Sequence, residues 1–165
     1  MGFQEAVKKC LRDWITFSGR APRSEYWWFV LFYILVLFVF GLVFYLLGGA
    51  GLMSGGGAGV ILLVFGLLVA VVYLFLMVAG ISAVVRRLHD RNMSGWWYGG
   101  LFLLNILSGI VSASAPGSAF ALLLSVLVLI ASIALLVIMC LRGTHGPNRY
   151  GNDPLGGEGV ADVFE

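Results

Sequence analysis

Charge is what this 165-residue chain has least of: charged residues make up 11% of it, against 61% hydrophobic. No Asp, Glu, Lys or Arg occurs between Glu25 and Arg86, or between Arg91 and Arg142. A water-soluble domain of this length could not bury so much apolar surface, so that class is excluded. Cysteine is also scarce, and Cys10 and Cys140 alone can build neither a disulfide framework nor a four-cysteine zinc site. There is no HExxH, Cys-x-x-Cys, GxSxG or Walker sequence, and Ser24 and Ser94 sit in no nucleophile motif. A metal held by His89, Asp90, His145 and Asp153 would lack any recognised ligand spacing. The reading is therefore no enzyme, no cofactor and no metal. A net charge of +2 also argues against nucleic acid as a partner.

What the chain has instead is long uncharged runs near or beyond the roughly 20 residues that carry a helix across a bilayer. They fall at 27–47, 60–85, 96–111 and 119–141, the third being the shortest and carrying Asn105. None alternates polar and apolar residues as a barrel strand must. The expected fold is an all-α membrane protein, a single integral membrane domain over 1–165 with four transmembrane helices. Residues 1–26 form an amphipathic segment and 142–165 a turn-rich tail. The stretches 48–59 and 112–118 hold small, uncharged residues and read as short turns. Gly41, Gly66 and Gly80 suit close helix contacts, and Asn105 suits an interhelical hydrogen bond.

The few charges are segregated. Lys8, Lys9, Arg12, Arg20 and Arg23 precede the first run, Arg86, Arg87 and Arg91 join the second to the third, and Arg142 and Arg149 follow the fourth. Four crossings bring these segments to one face, which the positive-inside rule makes cytoplasmic, with both termini inside. Every acidic residue lies in the same segments, and the opposite face has no charge. Trp14, Trp27, Trp28, Trp96 and Trp97 are placed to anchor the interface. Phe3, Val7, Cys10, Leu11 and Trp14 recur at helical spacing, which fits an interfacial helix attracted by anionic lipid or one packed on the bundle or a partner. Residues 1–26 lack an apolar stretch, so cleavage as a signal peptide is not expected.

Topology needs fewer charges than these, and two readings of the surplus stand side by side. Glu25, His89, Asp90 and Asp153 could form an ion-pair network with the arginines, clamping helix ends. Alternatively Arg20, Arg23, Arg86, Arg87, Arg91, Asn148 and Arg149 could bind an anion or a partner, since guanidinium groups grip phosphate bidentately. Ser24 and Ser94 suit helix caps. Gly143, Gly146, Pro147, Gly151 and Pro154 make the tail a series of turns, which could fold back as a lid.

Three segments, "FSGRAPRSEYWWF" (17–29), "RRLHDRNMSGWW" (86–97) and "GTHGPNRYGNDP" (143–154), together resemble DUF805, a family of uncharacterised bacterial inner-membrane proteins. The motifs are long and in the family's order, and the apolar runs between them fit its layout. The Gly-rich 48–59 stretch and the tail after Pro154 depart from it. The resemblance implies a multi-pass protein of the bacterial inner membrane and implies no activity. The expected function is a non-enzymatic membrane scaffold or accessory factor. Its charged cytoplasmic surface would bind anionic lipid, a small anion or a protein partner. The alternative is a small transporter or channel subunit acting as a homo-oligomer.

Overall fold

A computed structural model describes residues 1–54 and 58–156. Its elements are α1 (Phe3–Arg12), α2 (Arg23–Ser54), α3 (Ala58–Asp90), α4 (Trp96–Ser114) and α5 (Ala119–Cys140). Four of them contain stretches long and apolar enough to span a membrane: Arg23–Gly48, Gly59–Asp90, Trp96–Ser114 and Ala119–Cys140. The all-α membrane fold is as the sequence leads one to expect.

The helix ends differ from that expectation. α2 starts at Arg23 and runs on to Ser54, and α4 runs to Ser114, so much of what reads as turn is helix. Glycine and serine weaken a helix but do not break it, and apolar surroundings reward every backbone hydrogen bond kept within the chain. Because α2 begins at Arg23, Ser24 lies inside its first turn and is not its cap. α3 continues past Arg86 to Asp90, since no residue there stops a helix. The chain is turned away just after it by Asn92, whose φ of 58° is left-handed, with Met93 N–H bonded back to Leu88 O at 2.9 Å. Asparagine is one of the few residues that take this conformation cheaply.

Contacts group the chain into two units. The first comprises residues 1–16 and 24–83. Its core is Cys10 of α1, Phe29 of α2, and Leu76, Ala79 and Ala83 of α3, flanked by Leu11, Trp14, Tyr26 and Val72 among others. The apolar stripe of α1 is thus spent on the bundle, with Ala6, Val7 and Cys10 buried. Ser82 Oγ reaches Thr16 O at 2.7 Å and Asp13 O at 3.1 Å, satisfying carbonyls left over where α1 ends. Ring pairs Tyr33–Tyr73 and Phe40–Phe65, 6.5 and 6.1 Å between centroids, mark an antiparallel α2–α3 contact. Of the glycines expected at close contacts, only Gly80 has a neighbour, with Phe29 3.9 Å from where its Cβ would stand. Gly41 and Gly66 face open space.

The second unit comprises residues 17–23 and 84–165. α4 and α5 form an antiparallel hairpin closed by Ser118, whose side chain accepts Ala121 N–H and caps α5. The interhelical polar link is Ser108 to Ser125, 3.5 Å between hydroxyls. Asn105 does not supply one: its amide donates to Leu101 O of its own helix at 3.0 Å, an internal solution that isolates it from α5.

Cys10 is fully buried and Cys140 exposed. In mild detergent, N-ethylmaleimide is expected to modify Cys140 at least ten times faster than Cys10, a ratio lost on denaturation. Mass spectrometry of the labelled peptides reads it, and equal rates would mean that α1 is not packed on α2 and α3.

Candidate functional site

The motif residues of the second unit meet around one carboxylate. Asp90 ends α3 and is 2% exposed. Its Oδ1 accepts Arg20 Nε at 3.0 Å, and its Oδ2 accepts Arg87 Nη1 from one turn earlier on the same helix. Both arginines are buried. Buried ions cost solvation unless every donor and acceptor is used, and here the remaining guanidinium N–H groups go to backbone carbonyls.

Arg87 Nε donates to Met139 O at 3.2 Å, Nη2 to Leu141 O, and Nη1 also reaches Ala21 O at 3.4 Å. Arg23 Nη1 donates to Cys140 O at 3.3 Å. These are the carbonyls a helix C-terminus leaves without partners, so arginines from elsewhere in the chain cap α5. Arg20 does the same for the tail, donating from Nη2 to Thr144 O at 2.6 Å and from Nη1 to Gly146 O at 2.7 Å. A single charged hub therefore holds the 17–23 segment, the end of α3, the end of α5 and the tail.

The tail's sequence fits this hub closely. Thr144 N and Oγ1 both donate to Asp90 O, at 2.9 and 3.2 Å. A Cβ at Gly143 would stand 2.6 Å from the Asp90 carboxyl carbon, so only glycine fits there. Asn148 Nδ2 donates to His89 O at 2.9 Å, while its Oδ1 accepts Tyr150 N–H at 2.8 Å and shapes the turn. The Tyr150 ring lies flat on the His89 imidazole, 3.8 Å between centroids and 4° between planes. His89 Nδ1 is 3.2 Å from Gly19 O, and Arg149 crosses the outer face of Tyr150 at 4.7 Å while donating to Asn92 O. Asp153 accepts Leu155 and Gly146 N–H groups at 3.0 and 3.1 Å. The bond from Leu155 above all, with those from Gly146 and Gly156 and the nearby Arg20 charge, holds its carboxyl below the usual aspartate value.

Arg20, Arg23, Arg87, His89, Asp90, Asn148, Arg149 and Asp153 thus belong to one connected arrangement. Arg86 is buried and its carbonyl accepts Ala21 N–H at 3.0 Å. Arg91 donates from Nη1 to Arg142 O. Glu25, in the first unit, is fully buried and accepts Lys9 Nζ at 2.7 Å, with Cys10 Sγ 3.8 Å away. Lys9, Thr144 and Gly143 are participants that sequence reasoning missed. The spacing of Lys9 from Cys10 hides its reach to α2, and nothing local marks a glycine whose neighbour is more than 50 positions away. Of the tryptophans, Trp14 packs on Phe75 with the ring planes tilted by 43°, Trp28 meets Phe3 edge-on, and Trp27, Trp96 and Trp97 are exposed. Ser94 Oγ accepts Trp96 N–H at 3.4 Å, a long contact at the start of α4. Among the described residues no three His, Cys, Asp or Glu side chains converge as metal ligands do.

Residues 14–152, which include this hub apart from Asp153, match the family described as "Protein of unknown function (DUF805)". The chain belongs to the DUF805 family. It is 32% identical over 151 residues to the inner membrane protein YhaH of Escherichia coli K12, covering 88% of this chain and 93% of that one. It is 31% identical over 144 residues to the inner membrane protein YhaI of the same strain, covering 87% and 90%. No solved structure matches. For this DUF805 member the matched span takes in the four apolar helices and the hub up to Asn152, and begins after α1.

Removing one member of a buried, hydrogen-bonded ion pair costs about 3–5 kcal/mol. Arg87→Ala is expected to lose that much in detergent unfolding, and Arg87→Lys to recover only part, because an ammonium cannot reach Asp90, Met139 O and Leu141 O together. Gly143→Ala should destabilise in the same direction by collision with Asp90. A second expectation concerns pH. A depressed carboxyl stabilises the folded tail above its ordinary value of roughly 4 and loses that contribution as pH falls through the folded value. Hydrogen exchange at Gly146 and Leu155, corrected for intrinsic rates, should therefore stay slow from neutral pH to about pH 4 and accelerate below it. In Asp153→Asn it should be fast throughout.

Proposed function

We propose that this chain is a non-enzymatic scaffold of the bacterial inner membrane, an accessory protein that presents a fixed cytoplasmic surface to a protein partner. The observation behind this reading is the use of the charges: Arg20, Arg87 and Asp90 spend their hydrogen-bonding capacity on one another and on backbone carbonyls, leaving no open valence for substrate chemistry. What the hub produces is a tail of set shape. A run of glycines, prolines and asparagines has little stability of its own, so fixing it with buried arginines makes sense where its outer face is read by something else. His145, Pro147 and Arg149 are exposed on it. The inner-membrane placement follows the names of the relatives, and the cytoplasmic side follows the distribution of Lys and Arg.

A photo-crosslinking residue at position 145 or 147 in native membranes tests the reading. The expected result is one protein adduct of discrete size, lost when Asp90→Asn loosens the tail while the protein still reaches the membrane. Crosslinks to lipid alone, or ion flux through reconstituted vesicles that depends on Asn105, would overturn it.

A further inference from the structure

The α4–α5 hairpin carries a cavity of about 680 Å³, a size typical of sites for small amphiphiles. It is lined by small residues, Gly100 on α4 and Ala131 and Ala134 on α5, with Leu101 and Leu104 beside them. Trp96 and Trp97 form its lip and are 81% and 64% exposed. From Trp96 to Leu104 the cleft follows α4 for about 12 Å at 1.5 Å per residue, from the charged end of the helix into its spanning part.

The charges at that end decide what would enter. Met93, which lines the cleft, lies two residues beyond Arg91, and Ile138, which also lines it, lies four residues before Arg142. Arg91 Nη1 donates to Arg142 O, which ties the segments carrying the two arginines together just beyond the lining residues Met93 and Ile138. Arg91 Nε is buried without a hydrogen-bond partner among the described residues, and the Arg142 side chain is exposed. The sequence of this unit is net positive, with seven arginines against five acids, three of which lie beyond residue 156. An apolar slot opening at a cationic rim, at the depth where headgroups sit, is complementary to an anionic amphiphile.

We infer that this cleft binds one anionic phospholipid, an acyl chain lying along Gly100, Ala131 and Ala134 and the phosphate meeting Arg91 and Arg142. The site is independent of the scaffold reading, since it uses neither the Asp90 hub nor the tail surface. Two basic groups near the headgroup correspond to a preference of roughly thirtyfold over a zwitterionic lipid.

The test is native mass spectrometry of protein released from nanodiscs of mixed phosphatidylglycerol and phosphatidylcholine. One phosphatidylglycerol should remain per chain, in roughly thirtyfold excess over phosphatidylcholine. Ala134→Phe, which fills the slot, and Arg142→Glu, which reverses the rim, should each abolish the adduct, and glycerol phosphate without chains should not compete. A measurement on the unaltered chain guards against variants that fail to fold: spin-labelled phosphatidylglycerol should quench tryptophan emission more than spin-labelled phosphatidylcholine, a difference lost in Trp96→Phe/Trp97→Phe. Equal retention of the two lipids, an adduct that survives Ala134→Phe, or equal quenching would overturn the inference.

Discussion

The Asp90 carboxylate between Arg20 and Arg87 is the contact on which the second unit depends. Its location at the end of α3 gives it reach to three other pieces of chain through two guanidinium groups. A carboxylate supplies two oxygens and each arginine a rigid fork of donors, so one acid organises six backbone carbonyls at once. Lysine in either place would preserve charge and lose this geometry. The hub answers a problem particular to such a chain: helix C-termini and glycine-rich turns expose carbonyls where water is limited, and an unsatisfied carbonyl there costs more than in solvent.

The first unit is held by different means. Its core is small, with alanines at 79 and 83 receiving Cys10 and Phe29, and its ion pair, Lys9 to Glu25, joins α1 to the first turn of α2. Glu25 also stands at the positive end of the α2 dipole, where a carboxylate is favoured. A residue chosen for helix-start electrostatics thereby receives a tertiary partner as well. The amphipathic pattern of α1 has the same double meaning, since the stripe that would suit a lipid surface is the one buried against α2 and α3.

The spans and motif segments were legible in the sequence because their signals are local and strong: absence of charge over long runs, and clusters of Arg, His, Asp and Gly between them. That Asp90 and the arginines belong together was legible as chemistry, though not which arginine serves which acceptor. Helix ends are less legible, because neither arginines nor stretches of small residues stop a helix, and α3 is stopped by Asn92 and its left-handed backbone. Gly143 and Lys9 were illegible for a different reason, as each matters only through a neighbour distant in sequence. Asn105 shows the converse: a polar residue in a span invites a long-range role, and its own helix supplies the acceptor.

The sequence posed the structural network and the anion site as alternatives, and the geometry shows why they need not compete. Carbonyl oxygens satisfy guanidinium donors without neutralising them, and most of the hub's acceptors are carbonyls. The unit's sequence carries five acids against seven arginines, and of those acids Asp90 and Asp153 lie within the hub. The clamp that fixes the tail and caps α5 therefore leaves a positive surplus by construction, and the surplus belongs to the hub as a whole. Arginines such as Arg142, exposed and outside the Asp90 contacts, are where that field meets the surroundings. A structure built to hold its own helix ends thus becomes attractive to anions at its rim, without any buried arginine having to leave its partner.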